Sequence, residues 1–127
     1  MGRPATVTIN LDAIRFNYRL SKKLSNGKKS MAIIKANAYG HGSVEVANAL
    51  STEVDGFGVA CIEEALELRE AGINNSILLL EGFFKADELT LIAQHNLWTS
   101  VHSLSQIEDI RRAKLIKPIN VWLKMNS

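Results

Sequence analysis

Five short apolar runs, separated by amphipathic stretches, limit most of what this chain can become. The runs Ala32–Ala36, Gly56–Ala60, Ser76–Leu80, Leu97–Val101 and Ile119–Met125 begin 20–24 residues apart. That is the rhythm of βα units joined by short loops. The segments between them, Ser43–Ser51, Ile62–Ala71, Ala86–His95 and Leu104–Ala113, read as helices. Gly72 directly after Glu70-Ala71 predicts a C-cap, and Ser103 with Gln106 predicts a capping box. A helix between successive strands returns the chain to the same end, so the strands should be parallel. Two closures satisfy this: a doubly wound sheet, or part of a (βα)8 TIM barrel, whose eight strands need about 250 residues.

Upstream lies a β-like run, Ala5–Ile9, then a helix from Asp12 to about Leu24 with Asn10 as its N-cap. Leu11, Ile14, Tyr18 and Ser21 recur at helical spacing and predict its inward stripe. The expected organisation is an N-terminal strand and helix over residues 1–30, followed by the α/β portion over residues 31–127. In the second inter-strand helix Glu63, Glu67 and Glu70 share one face, which reads as a solvated surface rather than a carboxylate site.

Composition excludes several function classes. With 15 basic and 13 acidic side chains the net charge is only +2, too small and too dispersed to argue for a nucleic-acid partner. A single cysteine, Cys61, allows no internal disulfide, so a reduced, cytoplasmic setting fits best. There is no apolar run of membrane-spanning length and no signal-peptide core at the start, so no membrane partner is expected. No HxxxH, CxxC or paired-carboxylate spacing points to a metal.

The chemistry is concentrated in Met31-Ala32-Ile33-Ile34-Lys35-Ala36-Asn37-Ala38-Tyr39-Gly40-His41-Gly42. An apolar run ends in a lysine, and a glycine-bracketed turn follows. In parallel α/β sheets the carboxyl edge of the strands carries the chemistry, and a lysine amine placed there can serve as a nucleophile toward an aldehyde. His41 in its Gly-His-Gly turn reads as structural, and His102 after the fourth run reads as a weak site candidate.

This string closely resembles the signature of alanine racemases, and the likeness extends from Ala5-Thr6-Val7-Thr8-Ile9-Asn10-Leu11-Asp12 to the last residues. The resemblance favours the barrel. It implies that Lys35 carries pyridoxal 5′-phosphate and acts as one of two catalytic bases, on the D-alanine face. It implies further that Tyr39 helps hold the cofactor phosphate and that Ile33 and Leu80 line the cofactor. The closing Val121-Trp122-Leu123-Lys124-Met125-Asn126-Ser127 resembles the family's fifth strand, in which a lysine can be carbamylated, and Lys124 occupies that place.

The same resemblance implies that the Ala5–Ile9 strand pairs with a C-terminal β-domain outside this sequence. The family's second base, a tyrosine supplied by the partner subunit, has no counterpart here, nor do its two cofactor-contacting arginines. The expectation is therefore an alanine racemase, interconverting L- and D-alanine for peptidoglycan synthesis as a homodimer. This 127-residue chain would be a truncated N-terminal portion, inactive alone, associating with the missing C-terminal portion or with another copy. Rival readings are a broad-specificity amino-acid racemase and a non-catalytic pyridoxal phosphate-binding barrel protein.

Overall fold

A computed structural model describes residues 2–125. The order of elements is α1 (Leu11–Leu24), β1 (Met31–Ile33), α2 (Lys35–Gly40), α3 (Ser43–Leu50), β2 (Gly56–Val59), α4 (Ile62–Glu70), β3 (Ile77–Leu79), α5 (Glu88–Gln94), β4 (Leu97–Val101), α6 (Leu104–Arg112) and β5 (Asn120–Leu123). Each of the five expected sheet strands and each inter-strand helix is present within a few residues of its expected bounds. The main difference is β1, which ends at Ile33, so that Lys35 stands beyond the strand rather than inside it.

All four strand pairings are parallel, and the strands lie in the order β1-β2-β3-β4-β5. That order decides between the two closures. A doubly wound sheet reverses its strand order at a switch point so that helices cover both faces. Here every crossover advances one strand in the same direction, and right-handed crossovers then place all helices on one face, as around a barrel. The doubly wound alternative is corrected on this ground.

The helix-facing side of the sheet holds the core. Phe57, Val59, Ile77, Leu79 and Leu97 pack in one buried cluster with Ala47, Leu50, Ala65, Leu68, Leu89 and Ile92 from the helices. Side chains alternate along a strand, so Ile33, Gly58, Leu78, Leu80, Trp98 and Trp122 belong to the opposite side. Leu78 is buried yet lies outside the helix-packed cluster. Trp98 and Trp122 stack across β4 and β5 at a tilt, with ring centroids 6.0 Å apart.

Helix α1 starts where Asn10 caps it, its side chain accepting the Ala13 N–H at 3.0 Å. Its inward stripe differs from the expected one. Leu11, Ile14 and Tyr18 are half-buried, but Ser21 is exposed and Arg15 and Lys22 take part instead. The reason is that α1 lies against the end of α3, where backbone carbonyls need donors. Arg15 Nε donates to Ala49 O at 3.0 Å and Lys22 Nζ to Glu53 O at 3.2 Å. Residues 2–10 contain no strand, and among the described residues no backbone ladder is offered to the β-like run Ala5–Ile9. The expected cap of α4 forms with Gly72 at φ +83, and Ile73 N–H reaches back to Leu68 O at 3.0 Å. Among the described residues no helix is long and apolar enough to cross a membrane.

Candidate active site

Because the strands are parallel, the residues that follow them gather along one edge. The last ladder bonds mark that edge: Ile34 N–H to Gly58 O, Leu80 N–H to Val59 O, and Lys124 N–H to Val101 O, each 2.9 Å. Lys35 therefore stands one residue past the ladder after β1. Leu80 and Lys124 close the ladder after β3 and β5.

The chain leaves β1 in an unusual way. Ala36, Asn37, Ala38 and Tyr39 have φ of 51–54° and ψ of 37–52°, a full left-handed turn of non-glycine residues. Each such residue costs about 1–2 kcal/mol, because its Cβ crowds the next carbonyl. Four in succession persist only where surrounding contacts over-determine them, and strain of this kind collects at functional sites. The contacts are visible. Ala38 N–H donates to Ile34 O at 2.9 Å and Gly42 N–H to Asn37 O at 3.0 Å. The Asn37 side chain accepts the Ser43 N–H at 2.9 Å, which ties the turn to the start of α3. Glu64, from the first turn of α4, accepts the Ala36 N–H at 2.8 Å through Oε1 and the Ala60 N–H at 2.7 Å through Oε2. Hydrogen bonds to a charged acceptor contribute about 1.5–3 kcal/mol each, enough to offset a large part of the strain.

The turn leaves Lys35 half-buried and Tyr39 59% exposed. Ile33 and Leu80 approach one another across Gly58. A Cβ built at Gly58 would lie 2.6 Å from Ile33 Cδ1 and 3.3 Å from Leu80 Cδ1. With no side chain at Gly58, Ile33 and Leu80 close over the strand and form an apolar floor. Lys124 Nζ lies 3.8 Å from Glu81 Oε2, both side chains about half exposed, so the pair contributes at most about 1 kcal/mol. The Asn126-Ser127 end of the fifth-strand motif lies outside the described residues.

The remaining candidates divide. His41 Nδ1 donates to Ala38 O at 2.9 Å and so serves the turn itself. His102 sits past the end of β4 and borders a cavity of about 370 Å³ with Glu81, Phe84 and Gln106. Its backbone N–H donates to Gln106 Oε1 at 2.7 Å, in continuation of the expected capping box at Ser103. A cavity of about 600 Å³ is lined by Val7, Ile9, Leu11, Asn37, His41 and Glu45 among others. Neither Lys35, Ile33 nor Leu80 borders it, so it lies off the site. Glu63, Glu67 and Glu70 are exposed, as expected of a solvated face.

Two contributors escape a reading of the sequence. Glu64 sits between members of that solvated face, and its clue is its place three residues after the helix N-cap Cys61. Burial pushes the Cys61 thiol up from its ordinary value of 9.0. Gly58 is the other, and a glycine inside a strand is a known mark of close approach.

Residues 9–127 match the family described as "Alanine racemase, N-terminal domain". The catabolic alanine racemase of Pseudomonas putida is 62% identical over 125 residues, which cover 98% of this chain and 35% of that protein. The alanine racemase of Pseudomonas taetrolens has the same identity and coverage. Among solved structures, the biosynthetic alanine racemase of Pseudomonas aeruginosa superposes with a TM-score of 0.88 at 46% identity, over 92% of this chain and 33% of that one. A histidine racemase from Leuconostoc mesenteroides superposes with a TM-score of 0.73 at 30% identity, over 80% of this chain and 27% of that one. The chain thus spans about a third of the length of the curated relatives it matches.

Proposed function

The chain belongs to the alanine racemase N-terminal domain family, and from that premise we propose that it is the lysine-bearing portion of a pyridoxal phosphate-dependent alanine racemase. The observation that supports this most is the setting of Lys35: two residues past the first strand and directly before a strained left-handed turn fixed from two sides. Strain held at that edge is what a site needing one fixed lysine direction would require.

The residues present fit the cofactor. The apolar floor that Ile33 and Leu80 form over Gly58 suits the face of a flat ring. Lys35 Nζ would hold the group by condensing with its aldehyde and releasing water, and the exposed Tyr39 hydroxyl would donate to its phosphate. When bound, pyridoxal phosphate supplies the electron sink that lets an amino acid lose its α-proton near neutral pH. Lys35 then moves that proton at the α-carbon on one face, and a second base, outside this sequence, serves the other.

Lys124 is the candidate for carbamylation. The Lys124 ammonium would first lose a proton, and its free amine would then add carbon dioxide and release a second proton, leaving a carbamate anion that repels the Glu81 carboxylate now beside it. The names of the relatives support alanine as the substrate; a cytoplasmic homodimer that supplies D-alanine for peptidoglycan is the reading the family resemblance carries. The β-like run Ala5–Ile9, within residues 1–30, is read as the segment that would form a strand with a C-terminal β-domain, with residues 31–127 the start of the barrel. The histidine racemase among the structural neighbours makes another amino acid the second reading.

A chimera tests this. With this chain in place of the first third of the Pseudomonas putida relative, the purified protein should racemise alanine faster than histidine or other amino acids. Lys35→Ala should abolish turnover. A folded chimera that leaves L-alanine unchanged would contradict the proposal, and a preference for histidine would select the second reading. The 127-residue chain alone should show no turnover.

A further inference from the structure

We propose that Glu64 is the positioning residue of Lys35, its single carboxylate fixing the peptide bond through which the lysine leaves the backbone. The inference rests on the reading of Lys35 as the cofactor lysine and adds to it a residue 28 positions away that sets its direction. The peptide between Lys35 and Ala36 is the first unit of the left-handed turn. If it flipped, ψ of Lys35 and φ of Ala36 would both change, and the turn could relax toward ordinary conformations. The flip would swing the Ala36 N–H away from its acceptor, and that acceptor is Glu64 Oε1 at 2.8 Å.

The carboxylate cannot follow, because Oε2 is held by the Ala60 N–H at 2.7 Å. Ala60 is the residue after β2, so one side chain joins the chain leaving β1 to the chain leaving β2 at the sheet's carboxyl edge. Its own position is set by the first turn of α4, where a negative charge is also favoured by the helix dipole. Both contacts are to backbone amides, which makes Glu64 a residue that acts through Lys35 rather than on substrate.

Glu64→Gln keeps the size and one acceptor, Glu64→Ala removes both, and the exposed Glu70→Gln is the control on the same helix. Two readings are taken on the chimera with the Pseudomonas putida relative. The first is hydrogen exchange of the Ala36–Tyr39 amides without cofactor. The second is the share of borohydride-trapped pyridoxal phosphate found on Lys35 rather than on other lysines, followed against pH. Glu64→Ala should speed exchange at least tenfold and cut the Lys35 share at least fivefold. Glu64→Gln should fall between, and Glu70→Gln should match wild type. If Glu64→Ala does not fold, Glu64→Gln decides by the same two readings. Unchanged exchange, or an unchanged Lys35 share once the amides are freed, overturns the proposal alone. Indiscriminate labelling of the chimera with wild-type Glu64 overturns the Lys35 reading and the proposal with it.

Discussion

Left-handed backbone at Ala36, Asn37, Ala38 and Tyr39 is an arrangement that single residues rarely choose. Asn37 alone has a side chain suited to it, through its bond to the Ser43 N–H. For this reason the turn was not legible in the sequence. The string Lys35–Gly42 advertised a lysine and a tight connection, but alanine and tyrosine propensities point to ordinary helix or strand. The conformation is imposed by Glu64, which lies far off in sequence. Ala36 is exposed and contributes little packing, so Ala36→Gly should raise stability by about 0.5–1 kcal/mol in urea unfolding, against the usual cost of glycine. Gly82 is the reverse case. At φ +79, a Cβ there would lie 2.5 Å from Ser100 O, a backbone atom that cannot swing aside. Gly82→Ala should therefore destabilise by about 2–4 kcal/mol in the same measurement.

The connections between elements carry the next level of stability, and these are held largely by side chains reaching backbone groups. Arg69, at the end of α4, donates to Ile73 O, Asn75 O, His95 O and Asn96 O, at 2.6–3.3 Å. Burial pushes its guanidinium below its ordinary value, yet the four carbonyls occupy most of its fork. Arg69→Lys can reach only part of that set and should cost about 1–3 kcal/mol, read as a lowered thermal midpoint. Asp55 joins the starts of β1 and β2 by accepting the Ser30 N–H at 2.8 Å. That bond, with Lys22 nearby, holds its carboxyl below the ordinary 3.8. A carboxyl lowered by folding adds stability above its unfolded value and loses it as pH falls through the folded one. Part of the acid unfolding below pH 3.8 should therefore disappear in Asp55→Asn, which keeps the acceptor without the charge. Element order and most bounds were legible because apolar period and caps are local signals. Ser103 with Gln106 and Gly72 are the clearest examples. The bonds of Arg69 and Asp55 were not legible, since they connect residues brought together only by the finished sheet.

At the scale of the molecule, strand order separates this chain from other parallel α/β arrangements. Periodicity alone allowed two closures. The run β1 to β5 without reversal selects the barrel, and the family resemblance had favoured the same choice. Two features follow from an open run of strands. Among the described residues β1 and β5 each have one neighbour, and the opposite side of the sheet leaves Ile33 and Trp122 40–47% exposed. Exposed strand edges and apolar faces invite a covering surface, which the proposed whole enzyme would provide. The central claim nonetheless concerns one amine. Pyridoxal phosphate added to the purified chimera, reduced with borohydride and mapped by peptide mass spectrometry, should label Lys35 in preference to the other lysines. The label should vanish from that peptide in Lys35→Ala. Label spread evenly over many lysines, or absent from Lys35, would contradict the account.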